Sequence, residues 1–212
     1  MALDQAIATL AAPVITLVAG VVAGRVSAIR RRSQSAIPID SASGVIGVYP
    51  KLPMEELSDE ISQARHVEIL QTCADNLIQL QPAFQQAANA NAKIRILLIS
   101  PDSIMLKYRA HEYRDGSVSF ETLRNRLIDQ IQDMKAFCRQ NNITNNVLIR
   151  LYDGTPVLSI YQTDKIVYLG NFWRRGSAMQ CPQLKAKDTG YYPDWATKHF
   201  DAIWDDKNTK SA

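Results

Sequence analysis

The chain begins with an uncharged stretch of apolar and small residues, AIATLAAPVITLVAGVVAG, at positions 6–24. A helix of this length is about 28 Å long at ~1.5 Å per residue, close to the hydrocarbon thickness of a bilayer. Its apolar positions continue around the whole helix, which argues against a helix that lies flat on a membrane surface. The pattern predicts a single transmembrane helix in contact with the lipid bilayer, and a buried core helix is the alternative.

The charges on either side of this stretch set the orientation that we predict for it. A cleaved signal peptide carries positive charge before its apolar run, whereas Asp4 precedes this run and four arginines follow it within residues 25–32. By the positive-inside rule, this order favours an anchor over residues 1–32, with the N-terminus outside the cell (inner) membrane and the remaining chain in the cytoplasm. Residues 33–43 are polar and small, as in a linker.

Residues 44–206 carry strand and helix patterns and are predicted to form one domain, followed by a tail at 207–212. Short apolar or alternating runs predict strands, and apolar residues three or four positions apart predict helices. In the first half of the domain, strands are predicted at 44–49, 66–72 and 93–99, and helices at 54–64 and 77–87. The acidic residues of the first helix are expected to face water; they are Glu55, Glu56, Asp59 and Glu60.

The second half of the domain begins with a long predicted helix at 119–140. Strands are predicted at 146–152, 156–162 and 165–172, and the break Asp153-Gly154-Thr155-Pro156 between the first two is typical of a hairpin. A further strand at 183–187 and a last helix at 191–206 complete the pattern. Because strands first alternate with helices and then cluster, we predict an α/β fold, with a mixed sheet flanked by helices and preceded by the single transmembrane helix.

The net charge of +3 belongs to the predicted anchor rather than to the domain. Residues 1–36 carry four arginines against one aspartate, and the remainder carries equal numbers of basic and acidic residues, 20 of each. A neutral domain argues against nucleic-acid binding, although a local basic patch stays possible.

The cysteines and short motifs exclude several classes of site. Cys73, Cys138 and Cys181 are odd in number and widely spaced, which argues against a disulfide framework or a zinc site. The sequence also contains no phosphate-binding glycine loop, no dinucleotide fingerprint and no histidine pair at helical metal-ligand spacing. We therefore predict no metal and no cofactor.

The stretch VLSIYQTDKIVYLGNFW, residues 157–173, resembles the core strand pair of the phospholipase D superfamily. Active members of that superfamily carry His-x-Lys-x4-Asp, followed after a few residues by Gly, a polar residue and Asn. Asp164 fits the Asp position and Gly170-Asn171 fits the later positions. The resemblance implies that residues 44–206 form one phospholipase D-like half, of a degenerate kind found attached to sensor or membrane modules in bacteria.

The chain departs from that motif at the two residues that perform the chemistry. Counting back from Asp164, the His position holds Val157 and the Lys position holds Ser159. In the family, the His attacks phosphorus and the Lys neutralises the phosphoryl oxygens. Valine cannot attack and serine carries no charge, so the usual mechanism is closed to this chain and we expect no catalytic residue.

Polar residues on the predicted strands form a candidate binding site. Arg150 and Tyr152 share one face of their strand, and Ser159 and Tyr161 share a face of the next. If these faces meet as in the family, an arginine beside hydroxyls suits an anionic ligand; the alternative is that Arg150 pairs with a carboxylate and only orders the sheet. The candidate ligand-binding residues are Arg150, Tyr152, Ser159, Tyr161, Asp164, Asn171, Ser100 and Asp102.

These features lead to three functional hypotheses. The first is a membrane-anchored, non-catalytic binding or sensing module, such as a bacterial sensor or defence effector, which binds a small anionic ligand or a protein partner. By resemblance it would be a homodimer, because single-half members of the superfamily build one site from two copies. The second is a phosphodiesterase or nuclease with a rearranged site that uses His111, expected in a loop, or His66. The third is a protein-interaction scaffold.

Overall fold

The computed structural model describes residues 43–112, 118–155, 157–171 and 180–212. Within them the chain forms one eight-stranded sheet and five helices. The strands are β1 Val45–Tyr49, β2 His66–Gln71, β3 Lys93–Ile99, β4 Val147–Tyr152, β5 Leu158–Thr163, β6 Ile166–Asn171, β7 Gln183–Lys187 and β8 Lys210–Ser211. The helices are α1 Met54–Ser62, α2 Leu77–Asn89, α3 Ile104–Glu112, α4 Phe120–Gln140 and α5 Tyr191–Trp204.

The strand order across the sheet is β1-β7-β6-β5-β2-β3-β4-β8. Strands β2, β3 and β4 run parallel to one another, and all other neighbours are antiparallel. We call the side of the sheet on which β2, β3 and β4 end the upper edge, and the opposite side, on which they begin, the lower edge. β6 also ends at the upper edge, and β5 and β7 begin there. The predicted mixed α/β sheet flanked by helices is therefore confirmed.

The two faces of the sheet are covered by different helices. On the face that we call the α1 face, α1 contacts β7 through Glu56 and Lys185, and the start of α2 contacts β5 through Asn76 and Tyr161. The right-handed crossovers of β2-α2-β3 and β3-α3-α4-β4 bring α4 to the same face. The other face, the α5 face, carries α5, whose Thr197 accepts a hydrogen bond from the Gln162 side chain at 2.6 Å.

The buried side chains follow the periodicities of the sequence. The central strand β3 is buried on both faces, with Ile94, Ile96, Leu97 and Leu98 inaccessible to solvent. Helix α4 begins where Ser119 Oγ accepts the Thr122 N–H at 3.0 Å, because that hydroxyl satisfies one of the unpaired donors of the first turn. The predicted bounds of these elements therefore agree with the structure to within a few residues.

The predicted hairpin at Asp153–Pro156 is wrong. Strands β4 and β5 are not neighbours, since β3 and β2 lie between them. β4 instead pairs in parallel with β3, and the short connection after Tyr152 crosses the upper edge to reach β5. Turn chemistry at this break marks a change of direction, but it does not determine which strand becomes the neighbour.

Two further elements differ from the sequence prediction. Ile104–Glu112 is a helix and contains His111, which was expected in a loop; its inward side includes the charged Arg109, so the apolar periodicity is weak. Lys210–Ser211, within the predicted tail, adds the strand β8 to the edge of β4. On α1, Glu55 and Asp59 face water as expected, whereas Glu56 and Glu60 are half-buried and face Lys185.

The predicted transmembrane helix at 6–24 and all but the last residue of the linker at 33–43 lie outside the described residues. Among the helices within the described ranges, none combines the length and the apolar character needed to cross a bilayer.

Candidate functional site

The predicted row of ligand-binding residues is divided between the two faces of the sheet. Arg150 and Tyr152 lie on the α5 face of β4, whereas Ser159 and Tyr161 lie on the α1 face of β5. Three interstrand spacings, about 14 Å in all, separate the two strands. The expectation that these faces meet is therefore wrong, and each half has its own surroundings.

Arg150 closes the C-terminal end of α5. Its guanidinium donates a short hydrogen bond to the Trp204 carbonyl and lies 5.1 Å from the centre of the Trp204 indole. A cation at the C-terminal end of a helix interacts favourably with the carbonyl groups of the last turn. Here the guanidinium also forms a cation–π contact with the Trp204 indole. The alternative, in which Arg150 pairs with a carboxylate, does not occur among the described residues; Asp153 accepts from Ser103 and Asp164 from the backbone of Arg65.

Tyr152 and Tyr161 are both buried, and in each case burial raises the pKa of the phenol. Tyr161 accepts a hydrogen bond of 2.5 Å from Asn76 Nδ2, just before α2. The loop that carries Asn76 is held by α4: Gln130 accepts from the Ala74 N–H at 3.1 Å and also bonds Asp75.

Ser159 belongs to a closed polar cluster, which we define as Ser159, Gly170 and Gln183, three neighbours across β5, β6 and β7. Ser159 Oγ donates to the Gly170 carbonyl at 3.2 Å, and Gln183 Nε2 donates to the Cys181 carbonyl at 3.1 Å. The Gln183 side chain lies directly over Gly170, and neither it nor Ser159 is exposed. A ligand could reach Ser159 only if Gln183 moved.

Two buried polar atoms near this cluster have no hydrogen-bond partner within the described residues. They are Gln71 Nε2, on the strand next to Ser159, and the hydroxyl of Thr72. Val157, at the family's His position, is 61% exposed at the upper edge, on the same face as Ser159. Val157 and Ser159, which the resemblance places at the His and Lys positions, therefore lie on one face, but they offer neither a nucleophile nor a charge.

Asp164 lies at the opposite edge of the sheet, about 17 Å along β5 from Ser159 at ~3.4 Å per residue. Its carboxylate accepts the backbone N–H groups of Arg65 at 2.8 Å and His66 at 3.5 Å, which joins the β5–β6 turn to the start of β2. Partial burial raises the pKa of Asp164, but these N–H donors outweigh it and hold the pKa below its usual value. Asp164 thus has a structural role at this site.

Ser100, Asp102 and Asn171 lie at the upper edge, each with its own contacts. The Ser100 N–H donates to the Tyr152 carbonyl at 2.7 Å, and its hydroxyl accepts from the Asp102 N–H at 3.3 Å. Asp102 forms an exposed salt bridge of 2.8 Å with Arg124. Asn171 is exposed at the end of β6, opposite Leu158 and therefore on the α5 face.

The three histidines lie away from the Ser159 cluster. His66 is exposed at the lower edge, and His111 is exposed near the end of α3. His199 stacks on Trp195 with ring centres 5.2 Å apart, and burial lowers its pKa. Within the described part of the chain, no group of three His, Cys, Asp or Glu side chains could hold a metal ion.

A buried network of charged side chains on the α1 face was not predicted from the sequence. Lys185 of β7 is 8% exposed, pairs with Glu56 and lies 3.6 Å from Glu60. Tyr49 donates to Glu56 at 2.9 Å, and burial together with that carboxylate raises the pKa of Tyr49 to about 12. The signal available in the sequence was the period of two in QLKAK, which places Gln183 and Lys185 on one face.

Space and positive charge coincide at the β4 edge of the sheet. A groove of about 540 Å³, which we call the edge groove, lies between α4 and the end of α5. Its cationic side chains are Lys135, Arg139 and Arg150, and no acidic side chain lines it within the described residues. Neither Lys135 nor Arg139 forms a salt bridge with another described residue. The remaining lining residues are Cys138, Thr144, Val147, Leu148, Ile149, Trp204, Ser211 and Ala212.

No protein-family model matches the chain, and no curated protein matches it. Solved structures are similar in fold. Phosphatidylserine synthase from Haemophilus influenzae Rd KW20 aligns with a TM-score of 0.50 and 12% identity, over 74% of this chain and 36% of that one. Nuc, a phospholipase D family member from Salmonella typhimurium, aligns at 0.45 and 10% identity, over 74% and 89%.

The archaeal chromatin protein TrmBL2 aligns with a TM-score of 0.48 and 14% identity, over 82% of this chain and 57% of that one. The chain thus spans little more than half of TrmBL2 and about a third of the phosphatidylserine synthase. At 12% identity the likeness to the phosphatidylserine synthase concerns the fold alone, a mixed α/β sheet flanked by helices.

Proposed function

We propose that this protein is a non-catalytic binding module of phospholipase D-like fold, which binds a small anionic ligand in the edge groove. The observation that carries the proposal is the coincidence of open space with three cationic side chains, Lys135, Arg139 and Arg150. Charge-assisted hydrogen bonds to a phosphate or carboxylate are about twice as strong as neutral ones, so such a groove favours an anion. Arg150 keeps free guanidinium donors beside its bond to Trp204.

The chemistry at the Ser159 cluster supports a non-catalytic role. Phosphoryl transfer in the family needs a nucleophile and a cation, and Val157 and Ser159 supply neither. The Ser159 proton is already directed to the Gly170 carbonyl, and Gln183 fills the space above. His66 and His111, the residues of the rearranged-site alternative, are far from this cluster along the chain and on other elements.

The proposal includes a membrane location and self-association. Residues 6–24 would hold the domain at the inner membrane of a bacterial cell, with the N-terminus outside; their uncharged length and the arginines after them support this. Two copies would associate, by resemblance to single-half phospholipase D-like proteins. Exposed apolar side chains at the upper edge support association; they are Ile78, Ile104, Tyr108 and Val157.

A binding screen on the purified full chain tests the proposal. The probes are inorganic phosphate, pyrophosphate, cyclic nucleotides and glycerophosphate headgroups, and the readout is the thermal unfolding midpoint. A ligand at a hundred times its Kd adds about 2.7 kcal/mol to the free energy of unfolding, a readily measured shift. We expect at least one probe to shift the midpoint and the shift to shrink as salt rises.

The variant that locates the site is Lys135→Gln/Arg139→Gln, because neither side chain forms a salt bridge in the described part of the chain. Arg150→Ala is less informative, since it also releases Trp204. The matched control is Lys51→Gln/Lys187→Gln, which removes the same charge from exposed positions at the far end of the sheet. Equal binding by the two double variants would refute the edge groove.

Hydrolysis of bis(p-nitrophenyl) phosphate that is lost in His111→Ala would favour the enzyme, and binding of no probe would favour the protein-interaction scaffold.

A further inference from the structure

The outer edge of β4 is only partly covered. β4 has six residues, and β8 pairs with it through Arg150–Ser211 and Leu151–Lys210. The Ala212 N–H also donates to the Ile149 carbonyl at 3.0 Å. Within the described residues no strand pairs with Val147 or Leu148 on this side of β4, and the Leu148 side chain is 50% exposed. An open strand edge offers backbone donors and acceptors to another chain.

β8 is held weakly compared with the segment that precedes it. Lys210 and Ser211 are both exposed, and a two-residue strand forms few ladder bonds. The firm attachment is at Thr209, which is 6% exposed and donates its hydroxyl to the Ile203 carbonyl at 2.7 Å. β8 could therefore leave the edge while Thr209 and α5 stay in place.

We propose that the edge groove also binds an acidic, extended segment of a partner protein, whose carboxylates occupy the anion site while its backbone adds to the β4 edge in place of β8. This inference rests on the proposed anionic site and adds a second class of ligand to it. Addition of a strand uses main-chain hydrogen bonds for affinity and alternate side chains for specificity. Here the unpaired part of the β4 edge, the exposed Leu148 and two cations that form no salt bridge with a described residue lie in one groove.

The positions of the cations fit a strand with acidic residues. Side chains of an added strand alternate between the two faces of the sheet. On the α1 face they would lie toward Lys135 and Arg139 of α4, and on the α5 face toward Arg150 and Trp204. Glutamates would thus find a cation on either side, whereas a basic segment would be repelled.

The probe for this inference is an eight-residue peptide of alternating Glu and Thr or Val, blocked at both ends, with binding to the full chain followed by fluorescence anisotropy. Two control peptides separate charge from strand pairing. One replaces every Glu by Lys, and the other keeps the Glu residues but carries N-methyl groups on alternate backbone nitrogens. We expect binding by the first peptide and by neither control.

Two variants of β8 test displacement. Deletion of Lys210, Ser211 and Ala212 removes β8, and we expect the shortened chain to bind the acidic peptide about tenfold more tightly because no strand has to be displaced. Lys210→Pro keeps the full length but removes the N–H of the ladder pair with Leu151, so it should act in the same direction. Lys135→Gln/Arg139→Gln should weaken binding about fivefold, since each exposed pair contributes modestly.

The outcomes separate this inference from the proposed function. Equal binding of the N-methylated peptide, or unchanged affinity in both β8 variants, would refute strand addition and leave an anion site. Binding of phosphate compounds without binding of the acidic peptide would refute the peptide ligand alone. Binding of neither would refute both.

Discussion

Substitution of Gly170 by alanine tests whether Gln183 closes the Ser159 cluster. A Cβ on Gly170 would lie 2.2 Å from Gln183 Nε2 and 2.4 Å from its Oε1, far inside contact distance. Because Gln183 is fully buried in the described structure, its amide cannot turn aside without losing the hydrogen bond to the Cys181 carbonyl. Gly170→Ala should therefore destabilise the fold.

The expected magnitude follows from two opposing effects. Overpacking of a filled site costs about 1–3 kcal/mol, and replacement of a strand glycine by alanine returns about 0.5–1 kcal/mol. The net loss in the free energy of unfolding should be about 1–2 kcal/mol. Gln183→Ala alone should lower the free energy of unfolding by about 2 kcal/mol, because it removes a hydrogen bond and leaves a cavity.

The double variant Gly170→Ala/Gln183→Ala carries the decisive comparison. With the amide removed, the new Cβ has room, so the double variant should be more stable than the sum of the single effects predicts, by about 1 kcal/mol or more. Urea denaturation of the full chain measures each free energy. Gly154→Ala is the matched control, because its Cβ would meet only Tyr152 at an ordinary 3.7 Å, and it should be nearly neutral. Strict additivity in the double variant would show that Gln183 does not occupy this space.

Three further predictions concern charged side chains. Asp164→Asn should lower the free energy of unfolding at pH 7 by about 1 kcal/mol, a value discounted for exposure. Since the pKa of Asp164 is depressed in the folded state, this difference from the unmodified chain should be complete above about pH 5 and should fade as pH falls through the folded pKa. A difference that does not depend on pH would refute the role of the carboxylate. Arg95→Ala should lower the free energy of unfolding, measured by chemical denaturation, by about 3 kcal/mol, because it leaves the mostly buried Glu68 without its cation. Adding Glu68→Gln to this variant should restore part of the loss. Arg150→Ala should lower the free energy of unfolding by about 1–2 kcal/mol through the end of α5, with Trp204 fluorescence changing in the native state; unchanged stability would contradict the capping role.

The secondary structure of this domain was largely predictable because periodicity is local. The run at 93–99 became β3, and the apolar spacing at 119–140 became α4 with a difference of one residue. The helix at Ile104–Glu112 was missed because its inward positions include Arg109, whose burial is a property of its surroundings. A strand of two residues such as β8 carries too little pattern to be recognised.

The candidate site was predicted less well, because it depends on which strands become neighbours. The sequence correctly put Arg150 with Tyr152, and Ser159 with Tyr161, since each pair lies within one strand. It did not reveal that β3 and β2 separate the two pairs, or that they lie on opposite faces. Asp164 was grouped with Ser159 by a motif, although the straight course of β5 carries it to the other edge.

Residue identity and local spacing account for the strands and helices, the mixed α/β class, and the presence of valine and serine, neither a nucleophilic histidine nor a cation, at positions 157 and 159. The folded chain was needed to reveal the order of the strands, the closure of the Ser159 cluster by Gln183, and the meeting of Lys135, Arg139 and Arg150 in one groove. Those features join segments far apart in the chain, and pairing between distant strands is selected by the packing of the whole sheet rather than by any local pattern.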